Sequence, residues 1–195
     1  MSIACWNVRG FHNPNRLKEI RRLIDKFSIS CFGVLENKLL FSDILELERG
    51  LLDGWKVISN VSCYYKCRIF VLLDGNSWDY NFISMSDQHI SIELVNKLKF
   101  KSNVTFVYAH NIVQLRSRLW KNLQEDAINI YRPWLVLGDF NCIRCPSERK
   151  GGNPVPFRNL FELDDMSNVT GLKEINIKGY EYSWWSGPNR NIFSK

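Results

Sequence analysis

Short apolar runs that stop on a polar residue constrain this chain more than any other feature of it. Ile29–Leu35 is apolar throughout apart from Ser30 and ends at Glu36, and Trp134–Leu137 is followed at once by Gly138-Asp139. Runs this short and this apolar read as strands covered on both faces. Residues 2–8 read the same way with Asn7 at the end, and a run at 103–109 carries Tyr108 near its end. Strand ends are where a rigid scaffold presents side chains to a ligand. A carboxylate buried there without a partner is costly, and a bound divalent cation is one way to offset it.

Between these runs the pattern changes period. Asn13-Pro14 suits a helix start, and Leu17, Ile20, Leu23, Ile24 and Phe27 then recur at helical spacing. The opposite face carries Arg16, Lys18, Arg21, Arg22 and Lys26 and reads as its solvated side. Further helices are expected over 41–49, 113–130 (Leu119, Leu123, Ala127 and Ile130 inward) and 156–166. Runs rich in β-branched and aromatic residues at 55–61, 68–73, 79–85, 89–95 and 103–109 predict a meander of antiparallel strands, and Tyr180–Trp185 a late strand. With no repeat, low-complexity tract or linker, the expectation is one domain over residues 1–195, a mixed α/β fold of two packed sheets.

Composition narrows the class. Aromatic residues make up 13% of the chain, which excludes a disordered segment, and no apolar run reaches the ~20 residues of a membrane span. The 26 Lys and Arg outnumber the 20 Asp and Glu, a balance compatible with an anionic partner. Cys5 and Cys31 sit in apolar runs and read as buried thiols of a reducing compartment. Cys63, Cys67, Cys142 and Cys145 could be drawn as a zinc site, but the loose first spacing and the long gap between the pairs count against it. Three Asn-Val-Ser/Thr sequons, at Asn60, Asn103 and Asn168, read as chance in a chain without a visible signal peptide.

Each strand-end residue has an innocent reading. Asn7 can open a turn, Glu36 can pair with Lys38 at the surface, the Tyr108 hydroxyl can bond at a rim, and Asp139 can begin an Asx-turn. Taken together, a Glu and an Asp with neutral amides nearby make a hard-oxygen set of the kind Mg²⁺ accepts, leaving other positions to water and phosphate. That set suits phosphodiester hydrolysis.

Four motifs in order carry a resemblance: Cys5-Trp6-Asn7-Val8-Arg9-Gly10, Leu35-Glu36-Asn37-Lys38, Val107-Tyr108-Ala109-His110-Asn111 and Leu137-Gly138-Asp139-Phe140-Asn141. Together they resemble the endonuclease/exonuclease/phosphatase family, of DNase I-like fold. Trp55-Lys56-Val57, Pro133–Leu137 and Ser147–Gly152 resemble one branch, the endonuclease domain of plant non-LTR (LINE-type) retrotransposons, which precedes a reverse transcriptase. The resemblance implies a four-layer α/β sandwich, two mixed sheets flanked by helices, acting on DNA with Mg²⁺ or Mn²⁺ in its place. It implies that Glu36 and Asn7 hold the metal, that Asp139 aligns the water, and that Tyr108, Asn111 and Asn141 grip the phosphate. Ser183 matches a frequent Thr, and Arg9 stands where repair-type relatives carry an acid, which implies either weaker metal binding or an arginine that touches phosphate.

The family's catalytic His and its Asp partner match no position here, since the chain reaches Lys195 before the segment that carries them. The expectation is therefore a fold lacking its last strands and a weak or inactive nuclease. It is expected to be monomeric, without a membrane or stable protein partner, intracellular, and nuclear if functional. Two rivals stand beside it: a non-catalytic DNA-binding remnant, and a phosphatase of a small phosphorylated substrate on the same fold.

Overall fold

A computed structural model describes residues 2–11, 15–50, 54–156, 160–176, 178–187 and 192–195. Two compact units emerge, Met1–Ala109 with Asn129–Asp139, and His110–Ile128 with Phe140–Lys195.

The first unit holds two four-stranded mixed sheets. One contains β1 (Ser2–Asn7), β2 (Ile29–Leu35), β3 (Trp55–Ser59) and β4 (Ile69–Asp74) in the order β1-β2-β4-β3. The other runs β5 (Trp78–Met85), β6 (His89–Asn96), β7 (Lys101–Tyr108) and β8 (Trp134–Asp139) in sequence order. Each sheet has one parallel pair, β1 with β2 and β7 with β8, and is otherwise antiparallel. The expected meander is thus divided between the sheets: β3 pairs with β4 in one, and β5 to β7 pair in the other.

The unbroken apolar runs of β2 and β4 are explained by two cores, whereas β1 and β8, expected as buried strands, are only half-buried. Ile69, Val71 and Leu73 point between the sheets with Cys31 and Leu35, against Ile90, Ile92, Leu94, Val104 and Phe106. Their neighbours Phe70 and Leu72 turn the other way with Phe32 and Val34, toward Ile20 and Ile24 of α1 (Arg16–Phe27) and Ile44 and Leu47 of α2 (Phe41–Arg49). A strand covered on both faces has no polar side, so its period-2 alternation disappears. Gly33 lets the sheets close, because a Cβ there would lie 2.1 Å from the Phe106 ring. The helix expected after Asn13-Pro14 forms, although those two residues lie outside the described ones, and Phe27 is 52% exposed rather than inward.

The second unit holds α3 (Val113–Asn129, its last residue counted with the first unit), α4 (Glu162–Thr170) and a three-stranded antiparallel sheet, β10-β11-β9, of two-residue strands. These are β9 (Arg149–Lys150), β10 (Trp184–Trp185) and β11 (Phe193–Ser194). Of the helix expected over 156–166, residues 157–159 lie outside the described ones, and the described helix starts at Glu162. Three acids in its first turn suit the helix dipole, and Gly171, left-handed at φ +73°, closes it. Of the strand expected over 180–185, only Trp184–Trp185 pairs.

Candidate active site

The ends of the two parallel pairs bring the strand-end residues to one place in the first unit. Asn7 sits beside Leu35 in the β1–β2 ladder, and Tyr108 beside Asp139 in the β7–β8 ladder. Glu36 leaves β2 in the left-handed conformation (φ +53°), with its N–H on the Arg68 carbonyl and its own carbonyl accepting from Gly10, both at 2.8 Å. The Tyr108 N–H donates to the Gln88 carbonyl and the Asp139 carbonyl accepts from Ala109, both at 2.9 Å. Backbone bonds to neighbouring segments therefore fix each of these positions.

The side chains meet in pairs. Asn7 Nδ2 donates to Asp139 Oδ2 at 2.9 Å, while Asn7 Oδ1 accepts the Arg9 N–H at 3.0 Å. The Tyr108 phenol is pushed up to about 12 by burial first, then by the Glu36 charge, with Asp139 and a hydrogen bond to Glu36 adding to it and Arg68 opposing. Both carboxylates thus act on one hydroxyl, which stays protonated. Arg68 orients that ring: its guanidinium lies 4.6 Å from the ring centroid, and Nη2 donates to the Tyr108 carbonyl at 3.1 Å. Glu36 also pairs with Lys38 at 3.2 Å, so the surface-pair reading of Glu36 and the clustered reading both hold.

The donor set can be tested against a metal. It is oxygen only: two carboxylates and the Asn7 amide, whose Oδ1 keeps a second lone pair beyond the Arg9 N–H. Two carboxylates plus water and phosphate suit Mg²⁺ or Mn²⁺ rather than a soft ion. The nearby Cys5 thiol is pushed up to about 12 by burial and then by the Asp139 charge, so it supplies no thiolate. The zinc alternative fails: among the described residues no three His, Cys, Asp or Glu side chains could hold a metal, and Cys67 is buried, its Sγ on the Ile69 carbonyl. The Asn60 sequon is equally closed, since its buried amide accepts from Arg68 and Ile69 and donates to Ser86.

Residues 4–193 match the family described as Endonuclease/Exonuclease/phosphatase. The chain belongs to that family. Among solved structures it is similar to the endonuclease domain of TRAS1, a telomere-specific non-LTR retrotransposon. The TM-score is 0.66 at 10% identity, over 89% of this chain and 74% of that one. The AP endonuclease LMAP from Leishmania major gives 0.64 at 11% identity, over 85% and 65%. A mannosyl-6-phosphatase from Bacteroides thetaiotaomicron VPI-5482 gives 0.53 at 12% identity, over 72% and 66%. At such identities the likeness is one of fold, and the DNase I-like sandwich of two mixed sheets with helices is the fold of this chain. No curated protein matches it.

Other residues singled out by the family resemblance fall differently. Arg9 is exposed, with φ +50°, two residues beyond Asn7. Asn111, Asn141 and Ser183 belong to the second unit. Asn111 is exposed, Asn141 is half-buried in a left-handed turn at φ +49°, and Ser183 is exposed with its N–H on the Ser194 carbonyl. His89 is buried between the Ser84 and Ser86 hydroxyls, which gives it a structural role. Sequence reasoning passed over Arg68, and the one available signal was a cation opening an otherwise apolar run. It also passed over Arg116 and Glu162, which sit on helices read only for their apolar residues or their extent.

Across the described residues, no helix is long and apolar enough to cross a membrane.

Proposed function

We propose that this chain is a DNA endonuclease module of the LINE-type non-LTR retrotransposon kind, in its plant branch, hydrolysing a phosphodiester with Mg²⁺ or Mn²⁺. The observation that carries the reading is the meeting of Asn7, Glu36, Tyr108 and Asp139 at the ends of two parallel strand pairs. Glu36 and Asn7 would hold the metal, which when bound supplies a Lewis acid that offsets charge on the phosphate oxygens. Asp139, oriented by Asn7, aligns the attacking water and accepts its proton. The Tyr108 phenol, protonated at neutral pH, donates to a phosphate oxygen. Exposed Arg9 and, by the family resemblance, the Asn111 and Asn141 amides serve as phosphate-binding groups. The net charge of +6 favours a polyanion. The protein works as a monomer in the nucleus.

Turnover by these 195 residues alone is slow, because no histidine matches the family's proton-transfer His and its loss typically costs ~10²–10⁴ in rate. Plasmid nicking tests the whole reading. Slow, Mg²⁺-dependent nicking is expected, falling at least ~10²-fold in Glu36→Ala and in Asp139→Asn. Nicking that both variants retain would overturn it. Salt-dependent DNA binding without any nicking, surviving Glu36→Ala and EDTA, would instead favour the non-catalytic module. Release of phosphate from a small sugar phosphate would favour the phosphatase, a chemistry named for one structural neighbour.

A further inference from the structure

Outside the residues already assigned, a heavily engaged buried ion is Arg116 of α3, which is 2% exposed. Its Nη2 and Nε donate to the two carboxylate oxygens of Glu162 at 2.6 and 2.9 Å. Its Nη1 donates to two main-chain carbonyls, His110 at 2.7 Å and Asn141 at 3.1 Å. One turn further along α3, Trp120 donates Nε1 to Glu162 Oε2 at 2.8 Å and stacks on Phe140, with ring centroids 6.1 Å apart.

A buried ion pair is a poor device for stability alone, since apolar residues of equal volume often do as well. What such residues cannot do is hold two carbonyls in fixed directions. The two carbonyls belong to the segments following β7 and β8, one residue before Asn111 and at Asn141 itself. We propose that Arg116 is a positioning residue for phosphate binding: locked by Glu162 and Trp120, it holds the 110–111 and 140–141 backbones in one register so that both amides serve a single phosphate. This rests on the phosphate-gripping role given to those amides above.

A double-mutant cycle on affinity for a labelled DNA duplex, in EDTA at fixed salt, tests it, with thermal melts confirming that each variant folds. Asn141→Ala and Arg116→Lys should each weaken binding about tenfold, because lysine keeps the charge but cannot serve Glu162 and both carbonyls together. The double variant should bind no worse than either single one, because the amide is useless once misplaced. A purely structural Arg116 would lower the melting temperature and leave the two losses multiplying. Multiplying losses, or wild-type affinity in folded Arg116→Lys, would overturn the proposal. Wild-type affinity in Asn141→Ala would overturn it together with the phosphate role, whereas loss in Asn141→Ala alone overturns only the positioning claim. Should Arg116→Lys not fold at the assay temperature, Glu162→Gln takes its place in the cycle and is judged by the same two outcomes.

Discussion

Glu36 and Ser183 both border a strand, and the molecule holds them in opposite ways. Glu36 ends a seven-residue strand buried along its whole length, and backbone bonds from two other segments pin it. Ser183 precedes a two-residue strand whose Trp185 is 47% exposed, and its N–H bond runs to Ser194 alone. Around Glu36, position comes from the β2 and β4 ladder, covered on both faces. In the second unit, the equivalent precision comes from side chains that reach backbone, as Arg116 does. A long ladder fixes its end residues cooperatively, whereas a two-residue ladder cannot.

The sharpest way to break that contrast is a single methyl group. A Cβ at Gly138 would lie 2.0 Å from the Val107 carbonyl oxygen inside the β7–β8 ladder, at φ +145°, whereas Gly179 (φ +117°) has nothing within 4 Å. Gly138→Ala is expected to lose about 3 kcal/mol in urea unfolding and to displace Asp139, and Gly179→Ala about 1 kcal/mol. Equal losses would erase the difference between the units.

A smaller effect is expected from pH. Because the folded Tyr108 phenol lies near 12 against an ordinary 10, its neutral form favours the folded state. That contribution is whole below pH 10 and fades as pH rises from 10 through 12. With the phenol half in solvent, screening holds it to about 1 kcal/mol. Wild-type stability should fall more steeply across that window than Tyr108→Phe, and parallel curves would remove the link between Tyr108 and the two carboxylates.

The smallest perturbation is a label. Cys63 is exposed, Cys142 and Cys145 in the second unit and Cys5 in the first are half-buried, and Cys31 and Cys67 are fully buried in the first. Burial pushes the Cys5, Cys31 and Cys67 thiols up. Alkylation in rising urea, followed by mass spectrometry, should modify Cys63 first, then Cys142 and Cys145, then Cys5 with its raised thiol, and Cys31 and Cys67 only through global unfolding. Simultaneous reaction of Cys142 and Cys31 would mean that the two units open together.

Much of the site was legible because an apolar strand announces its end. The change from apolar to polar at Leu35-Glu36 and Leu137-Gly138-Asp139 marks where backbone pairing stops, and both marks fall at strand ends. The division of the meander was not legible, since β-branched runs and turn residues look alike whichever sheet a strand joins. The helix expected over 156–166 was misplaced for a local reason: Leu160 and Phe161 extend the apolar pattern backward, while the acids of Glu162–Asp165 mark the start.

The chain by itself determined which segments are strands and which residues stand at their ends, because strands packed into a core demand unbroken apolar runs and tolerate polarity only where they stop. The tertiary structure alone decided the company those residues keep: Asn7 with Asp139 across 132 residues, Arg68 under Tyr108 across 40, and Arg116 with Glu162 across 46. Such partners leave no periodic trace, because a side chain that satisfies a distant carbonyl or carboxylate is chosen by geometry in space and not by its neighbours along the chain.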